Sequence, residues 1–133
     1  MNQKGFATLE VILMVVVIGI LASVAIPRFT DITTKANTAK VQADLSTLDN
    51  AIEIYYMDKG EYPTSDAIST LSDYVKDVNK LKPPTGKVFV VGETEAKDIS
   101  ENEYKIDTTE HRATLKIGSD NLTAGSFTTK KTS

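Results

Sequence analysis

Residues Val11 to Pro27 form an unbroken uncharged, largely apolar run, and the apolar character reaches back to Phe6 with a single charged interruption, Glu10. Phe6 to Ile26 is 21 residues; as a helix rising ~1.5 Å per residue it is roughly 30 Å long, enough to cross a hydrocarbon core. After Pro27 the pattern becomes periodic. Val41, Leu45, Leu48, Ile52 and Tyr55 recur at steps of three and four, with Lys40, Asp44, Asp49 and Glu53 off that stripe, which predicts an amphipathic helix. Upstream, Ile32, Ala36, Ala39 and Ala43 form a stripe of smaller residues suited to close approach by another helix. Joined, the two segments predict one helix from about Phe6 to Asp58, ~80 Å long. A chain of 133 residues cannot bury such a helix, so its first half must be covered by lipid or by neighbouring copies. Gly19 and Pro27 are its weak points, because glycine loosens a helix and proline removes a ladder hydrogen bond. Gly60 should end it, with Lys59 near the negative end of its dipole.

Beyond Gly60, the spacing of Ile68, Leu71, Tyr74, Val75 and Val78 predicts a short helix over about 66–78. Pro83-Pro84-Thr85-Gly86 then breaks the chain. Three strands are expected: Lys87–Val91, Glu103–Thr108 around Tyr104 and Ile106, and Ala113–Ile117 with clean alternation. Short successive strands favour an antiparallel sheet, and the amphipathic half of the long helix is the obvious cover for its apolar face. From Ser119 onward the sequence is polar and reads as loop or frayed tail. The expected class is α+β, a long amino-terminal helix on a small antiparallel sheet of about three strands.

Composition narrows the chemistry. The formal charge is −3, with 15 basic and 18 acidic side chains, and no basic face for nucleic-acid phosphates can be read from the sequence. Cysteine is absent, which removes disulfides, thiolate metal sites and a cysteine nucleophile. His111, the single histidine, has no second histidine to build a zinc site with and reads as a surface residue. Asp58 and Glu61 flank a helix end as solvated charges. Asp120 and Asn121 can supply oxygen ligands to calcium, although an acid-rich loop is lacking; apart from that option no cofactor is expected. Asn121-Leu122-Thr123 fits the glycosylation triplet, a common pattern. Glu10 is the anomaly. A cleaved secretory signal would place small residues such as Ala22, Ser23 and Ala25 near its cut, and a plain membrane anchor leaves the acid unexplained, since a carboxylate near mid-bilayer costs roughly 2.5 kcal/mol or more.

A third reading comes from likeness to known proteins. Lys4-Gly5-Phe6-Ala7-Thr8-Leu9-Glu10, followed by the apolar helix ending Ile20-Leu21-Ala22-Ser23-Val24-Ala25-Ile26-Pro27, resembles the prepilin signature of type IV pilins and type II secretion pseudopilins. Ala39–Leu45, Ala51-Ile52, Tyr55 and Asp58-Lys59-Gly60-Glu61-Tyr62-Pro63-Thr64 extend the resemblance over about the first half of the chain. Ala7 and Thr8 depart from the Thr and Val often found there. The resemblance implies a leader at residues 1–5, a membrane and filament-core helix at 6–27 and a soluble head at 28–133. It implies cleavage after Gly5 by a prepilin peptidase, methylation of the new amine of Phe6, and subunit registration through Glu10 and that amine. Some unwinding between Gly19 and Pro27 on assembly is also implied. The implied partners are other copies of the chain, the inner-membrane assembly machinery, and lipid before assembly. The implied location is the inner membrane, then a surface or periplasmic filament. A surface binding module on a membrane tether is the rival from another class, and a secreted enzyme would need a catalytic cluster that the sequence does not display.

Overall fold

The computed structural model describes residues 3–130, and of residues 25–29 the backbone only. The chain divides into two compact units, Met1–Thr33 and Thr34–Ser133. Helix α1, Gln3–Lys59, contributes to both. In the first unit every large apolar side chain from Phe6 to Val24 is more than half exposed, from 52% at Val16 to 64% at Ile18. Gln3–Val24 is long and apolar enough to cross a membrane, and none of it is buried within the chain.

The second unit holds the core. Val41, Leu45, Leu48 and Ile52 on α1 are fully buried, so the three-and-four stripe is the buried face as expected. Gly60 closes the helix at φ +75° with its N–H bonded to the Tyr56 carbonyl at 2.8 Å, a left-handed conformation that glycine adopts without steric cost. Five strands follow: β1 (Lys87–Val88), β2 (Lys97–Asp98), β3 (Lys105–Asp107), β4 (Arg112–Ile117) and β5 (Asp120–Leu122). β1 and β2 make a two-stranded antiparallel ribbon, and β3, β4 and β5 make a three-stranded antiparallel sheet with β4 central. On β4 and β3, Ala113, Leu115, Ile117 and Ile106 join the helix stripe in one cluster with Tyr104, so the helix does cover the sheet.

Three local expectations are corrected. The segment over 66–78 is not an α-helix; it forms 3₁₀ turns at Ile68–Leu71 and Val78–Lys80. Its polar residues draw the backbone away from helical bonding: the Ser65 hydroxyl accepts the Ala67 N–H, and Thr70 Oγ1 donates to the Ala67 carbonyl at 2.7 Å. The stretch Lys87–Val91 does not join the three-stranded sheet; β1 pairs with β2, and Val90 pairs with Phe127. Between Ser119 and Lys130 the chain is not a frayed tail, because β5 pairs with β4 across the Gly118-Ser119 turn. Phe127, the one large apolar residue after Leu122, is 3% exposed and sits in the core. Its carbonyl accepts from Gln42 Nε2 at 2.8 Å. Lys131, Thr132 and Ser133 lie outside the described residues.

Candidate functional site

The residues singled out near the amino terminus all lie on α1. Gly5 is helical, and a Cβ built on it meets nothing within 4 Å. Glycine inside a helix is less stable than alanine by about 0.5–1 kcal/mol, so the local fold gives no reason for glycine at this position. Phe6 is 58% exposed. Thr8 Oγ1 donates to the Lys4 carbonyl at 2.8 Å, a bond that spans the Gly5–Phe6 peptide. Glu10 is exposed, and the positions three, four, seven and eight residues on, Leu13, Met14, Val17 and Ile18, form an apolar surface around it. No basic residue occurs between Gly5 and Pro27, so this stretch of helix holds no cation for the carboxylate. Gly19 is helical with open space around it; the side chain of Pro27 lies outside the described residues.

A second set of polar residues ties α1 to the rest of the head. Asn37 Nδ2 donates to the Thr85 and Lys87 carbonyls at 3.1 and 3.2 Å. Thr38, fully buried, donates to the Thr34 carbonyl and accepts the Phe89 N–H at 3.0 Å. Asp44 accepts from the Tyr104 hydroxyl at 2.7 Å and from Lys40 at 2.5 Å. Burial and then the Asp44 bond push the Tyr104 phenol well above its ordinary value. Asp49 accepts the Ala113 N–H at 2.7 Å and meets Arg112 at 3.2 Å. Only Lys40, Asp44 and Asp49 were marked in the sequence at all, and only as off-stripe charges.

The other residues singled out in the sequence all lie in the second unit. Asp58 accepts the Tyr74 hydroxyl, which raises that phenol to about 12, while Glu61 is exposed. His111 is more constrained than a surface histidine: its φ is +56°, and its ring stacks on Tyr62 at 4.0 Å. Tyr62 in turn stacks on Tyr56 at 4.3 Å. His111 Nδ1 is buried without a hydrogen-bond partner. Asp120 lies beside Ser119 and Asn121 on exposed β5. Among the described residues no group of three His, Cys, Asp or Glu side chains could hold a metal ion.

A long amino-terminal helix with an unburied apolar half, and an amphipathic half laid on a small antiparallel sheet, defines the pilin-like class of α+β proteins. The comparisons agree: the chain belongs to the family described as type II secretion system (T2SS), protein G, whose model matches residues 28–130. Type II secretion system core protein G of Vibrio cholerae serotype O1 is 42% identical over 65 residues, 49% of this chain and 44% of that protein. The core protein G of Klebsiella pneumoniae is 38% identical over 65 residues, 49% of this chain and 46% of that protein. The type IV narrow pilus major component PilA5 of Thermus thermophilus is 38% identical over 68 residues, 51% of this chain and 59% of that protein. The alignments thus span about half the length of the curated relatives. No solved structure matches. The chain is a member of the pilin and pseudopilin family.

Proposed function

We propose that this chain is a filament subunit that polymerises after its leader is removed. A prepilin peptidase cuts between Gly5 and Phe6 and methylates the Phe6 amine. The helix stays in the membrane as a reservoir until the assembly machinery draws the subunit into a filament, with the head at residues 28–133 outside. Membership of the protein G family favours a type II secretion pseudopilus as that filament.

One observation carries the proposal. Glu10 is the sole charged residue from Phe6 to Pro27, on a helix whose large apolar side chains are all more than half exposed through Val24. A carboxylate in low dielectric needs a counter-charge, and breaking a buried ion pair by removing one partner costs about 3–5 kcal/mol. The cation arises on a neighbouring copy, as the amine of Phe6 that cleavage exposes. Pairing Glu10 with that amine selects one axial stagger between neighbours, and apolar helix packing supplies most of the cohesion. Glu10→Ala should leave membrane insertion and leader cleavage intact while abolishing filaments, read by electron microscopy and by gel mobility of the cleaved product. Filaments of normal length and number built from that variant alone would show that registration does not depend on the carboxylate.

A further inference from the structure

The outer face of the three-stranded sheet carries a cavity that neither the core nor the amino-terminal helix uses. It measures about 260 Å³ and is lined by Glu101, Glu103, Lys105, Thr114, Lys116 and Asn121. It arises because the β3–β4 ladder ends early. Pairing runs from Asp107↔Arg112 to Lys105↔Thr114 and stops, whereas β4 continues to Ile117 with β5 on its other side. Continuing the same register would set Glu103 opposite Lys116, and opposite charges facing each other across antiparallel strands attract. They do not meet. Among the described residues Glu101, Glu103 and Lys116 take part in no ion pair. Lys105 is engaged by Asp66 at 3.3 Å. Asn121 stands opposite Lys116 on β5, and Thr114, 5% exposed, lines the floor with its hydroxyl donated to the Lys105 carbonyl at 3.4 Å.

Two carboxylates and one ammonium, all unpaired and lining one polar cavity, suit a ligand carrying both charges. We propose that this notch binds a small zwitterion of the amino-acid or dipeptide class. Glu101 and Glu103 take its ammonium, and Lys116 with the Asn121 amide takes its carboxylate. A simple anion meets repulsion from the two glutamates, a simple cation meets it from Lys105 and Lys116, and a neutral ligand leaves Glu101, Glu103 and Lys116 unanswered. A second cavity of about 170 Å³ shares Glu103 and Lys105 and gives the ligand's side chain room. The size suits one or two residues, since pockets for drug-sized ligands run from about 300 Å³ upward.

The test is an amide-resolved NMR titration of the full chain in detergent micelles with alanylalanine. Saturable shifts are expected at the amides of Glu101, Glu103, Thr114, Lys116 and Asn121. Glu103→Gln and Lys116→Gln, both at exposed positions, should each weaken binding about fivefold, the size of one exposed charge contact. Acetate, methylammonium and the dipeptide blocked at both ends should bind at least about tenfold more weakly than alanylalanine. The proposal is overturned if no saturable shift appears by about 20 mM, if the shifts fall outside the notch, if any of the three control ligands binds as well, or if the glutamine variants bind unchanged with a native amide spectrum.

Discussion

Asp49 offers the sharpest test of how the helix holds the sheet. Its Oδ1 accepts the Ala113 N–H at 2.7 Å, and its Oδ2 meets Arg112 Nη2 at 3.2 Å. β5 pairs only with Leu115–Ile117, so the Ala113 N–H lies past the end of β5 and takes the carboxylate instead. Ala113 is fully buried, whereas the Arg112 side chain is 50% exposed. A hydrogen bond to a charged group from a buried donor is worth about 1.5–3 kcal/mol, and an exposed ion pair about 0–1 kcal/mol. Asp49→Ala removes both but regains about 0.5 kcal/mol of helix propensity, a net loss of about 1–3.5 kcal/mol. With an unfolding entropy of about 2.1 cal/mol/K per residue over Thr34–Ser133, Tm falls by about 5–17 °C. Asp49→Asn keeps an acceptor for Ala113 and should cost less than about 1 kcal/mol, as should Arg112→Ala. Thermal unfolding of the full chain in micelles, followed by near-UV tyrosine circular dichroism, gives the ranking. Hydrogen exchange at the Ala113 amide gives the cause, with protection lost in Asp49→Ala and kept in Asp49→Asn. If Arg112→Ala destabilised the head as much as Asp49→Ala, the surface ion pair would be the tie and the argument from the buried N–H would fail.

Tyr104→Phe should cost about 0.5–1.5 kcal/mol at neutral pH and flatten the alkaline limb of stability. The folded phenol titrates above its ordinary value of 10.0, so its contribution is complete below about pH 10 and is lost as pH rises towards the folded value; urea midpoints at pH 8 and pH 11 should therefore differ less in the variant. Gly86→Ala places a Cβ at φ +112°, 3.0 Å from Asn37 Nδ2, and should cost about 1–3 kcal/mol, with a matching drop in Tm and loss of protection at the Ile99 amide, which bonds to the Gly86 carbonyl. Replacing Gly5 by a bulky residue should leave the helix in place and block leader removal, since its Cβ position is open; unchanged gel mobility on peptidase treatment is the expected result, and normal cleavage would show that glycine is not what the peptidase reads.

Periodicity carried far because its causes are local. The three-and-four stripe on α1 and the alternation on β4 each follow from the geometry of one element; their apolar residues are buried as the spacing predicts, apart from the half-buried Tyr55, while Thr114 is buried against the alternation. The left-handed stop at Gly60 is local in the same sense. Glu10 was legible because a charge stands out against an uncharged run. The 3₁₀ turns over 66–78 were missed because the apolar spacing there serves a tight turn as well as a helix, and Thr70 and Ser65 decide between them through hydrogen bonds that spacing does not contain. Asn37, Thr38 and Gln42 were missed for a related reason. A polar residue on a helix looks the same in the sequence whether it faces water or a distant backbone group, and the partners at Thr85, Phe89 and Phe127 lie 48, 51 and 85 residues away.

The division is therefore one of range. Membrane-length apolarity, the odd carboxylate, the glycine before Phe6 and the buried faces of α1 and β4 are properties of neighbouring residues, and the sequence alone determined them. Which strands share a sheet, whether the polar tail is anchored, and where charges fail to meet depend on what packs against what. Phe127 in the core and the unpaired Glu103 and Lys116 at the end of the β3–β4 ladder were decided only by the tertiary structure, because burial and pairing between distant segments are set by three-dimensional contact and leave no period in the chain.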